Sequence, residues 1–125
     1  MEVCLVTTRE TRRWSIPKGW PMKGLKDHLA AALEAEEEAG VFGKIAKRPC
    51  GSYLYWKRLE DRFELVRVVV FRLEVAGGLS QWRERDQRDV QWVPIGEAGH
   101  LVEESGLAAL FLEATAAEGN LAVGS

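Results

Sequence analysis

Four glutamates, Glu34, Glu36, Glu37 and Glu38, crowd into five successive positions of this chain. On a helix, side chains three and four residues apart share a face, so the carboxylates of Glu34, Glu37 and Glu38 converge while Glu36 points to another side. Like charges so placed repel by roughly a few tenths of a kcal/mol per pair. A hard divalent cation reverses that sign, because it takes carboxylate oxygens as ligands and neutralises their charge. Ala30 and Ala31 lie one turn earlier on the same side and leave room for a ligand. The competing reading is a solvated acidic face, the usual fate of a glutamate-rich run.

Cationic candidates lie nearby. Arg9 and Arg13 belong to a polar turn, Lys18 stands at the mouth of the loop before the helix, and Arg67 interrupts a long apolar run. The planar fork of arginine suits phosphate oxygens. Each has a plainer alternative: a solvated hairpin turn for Arg9 and Arg13, a strand edge with its head in water for Arg67. The segment 79–89 is densely charged and carries the carboxylates Glu84, Asp86 and Asp89. Its plainer reading is a solvated loop.

The elements that must position these groups follow from pattern. Residues 1–8 form a short β-rich apolar run, and Trp14-Ser15-Ile16 alternates as a strand that Pro17 ends. Alanine, leucine and glutamate predict a helix from Asp27, read as its N-cap, to Gly40, its C-terminal stop. Further strands are expected at 41–47, 51–58, 63–75 and 90–93, with turns at 59–62 and 76–78. The consecutive apolar residues Val68 to Phe71 suit a strand buried on both faces. Helix follows over 96–103 and 106–117, where Leu107, Leu110, Phe111 and Ala114 form a core stripe. Residues 118–125 read as a frayed tail. Leu25, Leu29 and Leu33 recur at i+4, either buried against the sheet or left as an exposed apolar ridge.

The central stretch resembles the box of the Nudix hydrolase family. That box reads glycine, five residues, glutamate, seven residues, Arg-Glu, an aliphatic residue, any residue, Glu-Glu, any residue, glycine, an aliphatic residue. Gly19, Glu34, Ala35, Glu37, Glu38, Gly40 and Val41 fall in register, and Pro17 to Trp20 resembles the entry to the box. Leu25 stands where the family has its first glutamate, and Leu33 where it has the arginine that orients a box glutamate. From position 33 that arginine would reach Glu37 at i+4.

The resemblance implies an α/β protein, a Nudix-type α/β/α sandwich with a mixed β-sheet between helices. It also implies a further strand before the one at residues 1–8. The implied reaction is metal-dependent hydrolysis of a diphosphate linkage in a nucleoside diphosphate joined to another group, with Mg2+ or Mn2+ as cofactor. The implied metal ligands are Glu34, Glu37, Glu38, the Gly19 carbonyl and Glu84, with Glu37 or Glu38 accepting the proton of the attacking water. Arg9, Arg13, Lys18 and Arg67 are the substrate-binding candidates. The basic turn and the box entry look most like the diadenosine polyphosphate and diphosphoinositol polyphosphate hydrolases. The alternative is a weakened nucleotide- or metal-binding module, to which Leu25 and Leu33 would point.

The bounds agree. A chain of 125 residues predicts one domain over 1–125. Hydrophobic content of 46% with five Trp supports a packed core. With a net charge of -2, nothing global argues for a nucleic acid polymer or an anionic membrane, and the resemblance implies a small-molecule phosphoanhydride as the partner. Cys4 and Cys50 lack metal-ligand spacing, and a reduced, cytoplasmic protein is expected. His28 and His100 read as surface or capping residues. Oligomeric state is not legible.

Overall fold

The computed structural model describes residues 1–114 and 120–124. At its centre lies β1 (Glu2–Thr7), a strand buried on both faces. Its side chains alternate, as a strand requires. Val3 and Leu5 face one hydrophobic cluster, Cys4 and Val6 the other. Burial pushes the Cys4 thiol up to about 12, so it is an inert core group. On one side of β1 runs β2 (Trp14–Ser15), on the other β5 (Val90–Pro94), both antiparallel. The second sheet joins β3 (Val41–Arg58), β4 (Phe63–Gly78) and β6 (Asn120–Gly124) in that order.

Helices cover both faces, giving the α/β sandwich expected. α1 (Asp27–Ala39) packs Ala35 and Ala39 on the cluster holding Cys4, Val6, Val41 and Leu73. On the other face, α2 (Ile95–Leu101) and α3 (Ser105–Ala114) place Ala98, Leu107, Leu110 and Phe111 against Val3, Leu5, Val68 and Val70. Strand pairing among the described residues is antiparallel, and the parallel component is a bridge between Trp14 and Val102.

Several local expectations change. Lys26, not Asp27, is the N-cap of α1, and it makes no side-chain cap bond. Asp27 stands one residue later, where its charge still favours the positive end of the helix. The stop is as expected: Gly40 takes the left-handed conformation at φ 70° and donates its N–H to the Glu36 carbonyl. The strands expected at 41–47 and 51–58 are one, bent by register shifts around Pro49, and Gly77 and Gly78 extend β4 by pairing with Phe42 and Val41 rather than turning. Residues 120–124 of the expected tail form β6, while 118, 119 and 125 lie outside the described residues, as do 115–117 of the expected last helix. The Leu25, Leu29 and Leu33 ridge is not buried against the sheet; Leu29 is 43% exposed and the other two are half-buried. The inward face of α1 is instead Ala30, Ala31, Ala35, Ala39 and one carboxylate, Glu38.

Candidate active site

Alanines on the inward face bring α1 close to the sheet, and this carries Glu38 into the interior at 2% exposure. A carboxylate there needs partners. One oxygen accepts a hydrogen bond from the Lys18 backbone N–H at 3.3 Å, and the other lies 3.7 Å from Nε of Arg88. Glu34 lies one turn back on the same helix face, close enough to act on Glu38 electrostatically. Burial above all drives the Glu38 pKa up to about 9, against the pull of Arg88 and with a further push from Glu34. Burial also raises Glu34, with Glu37 and Glu84 adding to the rise and Arg88 opposing it.

Glu34 needs the glycine beside it. A Cβ on Gly19 would stand 2.3 Å from the Glu34 carboxyl carbon, so a side chain at 19 is incompatible with the glutamate where it lies. The third acid, Glu84, comes from the segment between β4 and β5, which backbone bonding ties to the helix through Glu84 N–H and the Glu37 carbonyl at 2.9 Å. Arg88 organises all of these. Its Nε donates to Glu84 at 2.8 Å and its Nη1 to the Thr7 carbonyl at the end of β1 at 3.0 Å.

Glu34, Glu38, Glu84 and Gly19 line one open cleft of about 1160 Å³, together with Arg9, Arg13 and Lys18. Two expected residues are elsewhere. Glu37 does not line the cleft; its carboxylate meets Arg83 at 3.4 Å. Arg67 is exposed on β4, where it donates to the Ser52 hydroxyl, and it does not line the cleft. Asp89 is engaged by Arg12 at 2.8 Å and Asp86 is exposed, leaving Glu84 as the loop carboxylate of the cleft. Arg9 donates to Gln87 and Arg13 to Glu103. Lys18 bonds the Ser15 hydroxyl, with its ammonium 4.8 Å from the Tyr55 ring centroid. Burial lowers the Lys18 pKa against the opposing pull of Glu104 and Glu38.

The sequence reading missed Arg88, and the cleft residues Trp20, Tyr55, Lys57 and Arg58. The i+4 spacing of Glu84 and Arg88 was the available signal for the first. At Leu33 the helix offers no arginine to Glu37, and arginines from the loop contact the box glutamates instead, Arg83 at 3.4 Å from Glu37 and Arg88 at 3.7 Å from Glu38.

Among the described residues, no three acidic, imidazole or thiol side chains already stand at metal-ligand spacing. The arginine beside Glu38 and Glu84 is the cation there. The donor chemistry nonetheless suits a hard divalent ion, which takes carboxylate and carbonyl oxygens: Glu34, Glu38 and Glu84 line one cleft, with Glu34 packed beside Gly19.

A family model described as NUDIX domain matches residues 1–113 of this chain. The chain belongs to the Nudix family. It is similar to a protein named Nudix hydrolase 12, mitochondrial, from Arabidopsis thaliana, at 31% identity over 106 residues, covering 78% of this chain and 50% of that protein. It thus spans about half the length of that curated relative. No helix among the described residues is long and apolar enough to cross a membrane.

Proposed function

We propose that the domain, spanning 1–125, is a hydrolase of a diphosphate linkage in a nucleoside diphosphate joined to another group. The observation that carries this reading is one cleft that brings carboxylates and cations together. Glu34, Glu38 and Glu84 line it with Lys18, Arg9 and Arg13, and Glu10, Glu103, Glu104 and Arg88 line it as well. A diphosphate needs both kinds of group. Its negative charge is held by cations while an adjacent carboxylate handles the proton of an attacking water.

Glu34, Glu38 and Glu84, with the Gly19 carbonyl, would hold Mg2+ or Mn2+. When bound, such an ion offsets phosphoryl charge and lowers the pKa of the attacking water. The chain's own residues do the rest. Lys18 and the rim arginines bind and orient the diphosphate. One carboxylate of the Glu34–Glu38 pair takes the water proton as the new P–O bond forms, and the bridging P–O bond breaks to release the second phosphate. Glu37, expected as an alternative base, acts through position, since it lies outside the cleft and ties α1 to the loop bearing Glu84.

Diadenosine or diphosphoinositol polyphosphates are the proposed substrate classes. The alternative is a weakened binding module, to which Leu25 and Leu33 point; the contacts of Arg83 with Glu37 and of Arg88 with Glu38 favour the hydrolase. The free thiols Cys4 and Cys50 support a reducing compartment, proposed as the cytoplasm. The test is product release from nucleoside diphosphate sugars, dinucleoside polyphosphates, nucleoside triphosphates and inositol pyrophosphates, with magnesium or manganese, beside Glu38→Gln. Metal-dependent turnover lost in the variant is expected. Turnover of none of them, or equal turnover by the variant, overturns the reading.

A further inference from the structure

Resting on the hydrolase reading, we infer that the cleft contains a nucleoside subsite in which the Trp20 indole stacks on a base while Lys57 and Arg58 hold the adjoining phosphates. Trp20 follows Gly19 directly and lines the same cleft, yet it is 53% exposed. Across from it, the end of β3 contributes Tyr55, Lys57 and Arg58 to the cleft. The Lys57 ammonium lies 5.3 Å from the Trp20 ring centroid, as Lys18 lies over Tyr55. The wall therefore alternates aromatic faces with cations.

The cations differ in availability. Arg13 is ion-paired with the exposed Glu103, a contact that a bound phosphate would exchange for its own. Lys57 and Arg58 form no ion pair among the described residues, even though Glu64 is the cross-strand neighbour of Lys57. An ammonium resting on an aromatic face in water is held weakly. A ligand that brings both a flat ring and phosphates satisfies both partners at once: the base takes the indole face and Lys57 turns to a phosphate. Lys18 and Trp20 are two residues apart, which spans at most about 7 Å of extended chain. That spacing suits a base and the phosphates joined to it through a ribose. An inositol pyrophosphate has no ring face to offer and would leave Trp20 and Tyr55 unused. The geometry thus selects nucleoside-bearing substrates, the dinucleoside polyphosphates among the two classes above.

The test is calorimetric binding of ADP and of inorganic tripolyphosphate without metal, to the wild-type protein, Trp20→Ala and Trp20→Phe, with melting temperatures to confirm that this exposed site leaves the fold intact. ADP affinity should fall about 10- to 100-fold in Trp20→Ala, recover largely in Trp20→Phe, and leave tripolyphosphate binding unchanged. No ADP binding to the wild type, or an equal loss for both ligands, overturns the subsite. Hydrolysis is not needed for this readout. ADP binding through Trp20 in a protein that turns over nothing would sink the hydrolase reading and keep the subsite. Turnover of dinucleoside polyphosphates that Trp20→Ala leaves untouched would sink the subsite and keep the hydrolase.

Discussion

Arg88→Ala probes the arrangement most sharply. The guanidinium is 12% exposed and touches Glu84, Glu38 and the Thr7 carbonyl. Removing one partner of a buried ion pair costs about 3–5 kcal/mol when the remaining charge cannot escape. Here it can in part: Glu38 already favours its protonated form and Glu84 is 15% exposed, so a loss of about 2–3 kcal/mol follows. In a domain of 125 residues that lowers the metal-free melting temperature by about 10 °C. Arg88→Lys keeps the charge but not the fork, and should recover less than half of it. The decisive readout is manganese affinity by titration calorimetry. If Arg88 positions the carboxylates, the alanine variant binds manganese about 10- to 100-fold more weakly. If Arg88 is only a counter-ion that the metal must displace, affinity rises instead. Unchanged or tighter binding refutes the positioning argument.

Three more outcomes follow from the same geometry. The fold raises the Glu38 pKa from the ordinary 4.5 to about 9. The protonated form is thus the one the fold favours, so this contribution is complete below about pH 4.5 and is lost as pH rises toward about 9. Metal-free melting temperature should fall across that window, and the fall should be absent in Glu38→Gln. Gly19→Ala would push the Glu34 carboxylate aside without backbone strain, since among the described glycines only Gly24 and Gly40 have positive φ. Stability should change by less than about 0.5 kcal/mol in thermal melts while manganese affinity falls at least about 10-fold. Leu33→Arg should alter turnover less than about fivefold, because Glu37 already has Arg83; a larger rise would show that the box lacks its arginine after all.

Helix periodicity made the convergence of Glu34 and Glu38 legible, and the stop at Gly40 came from glycine's left-handed freedom. Glu37 shares that spacing but faces out of the cleft, because the alanine face of α1 fixes its rotation and admits one carboxylate to the core. The leucine ridge misled for the same reason: larger apolar side chains suggested the buried face, but the small ones let α1 approach the sheet. Arg88 was harder to see, since its bond to Thr7 joins residues 81 apart. The aromatic run of β3 announced a strand but not which side chains face the cleft. That depends on register with β4, which shifts around Pro49. β6 was hidden because its small residues carry little strand signal of their own. It is defined by pairing along the free edge of β4.

The central claim is that Glu34 and Glu38 are one metal-binding unit in which burial keeps Glu38 protonated until a metal binds. Manganese titrated near neutral pH, in buffers of different ionisation enthalpy, measures it directly. Binding should release about one proton per ion and should be lost in Glu38→Gln. Binding without proton release, or undiminished in the variant, would contradict it.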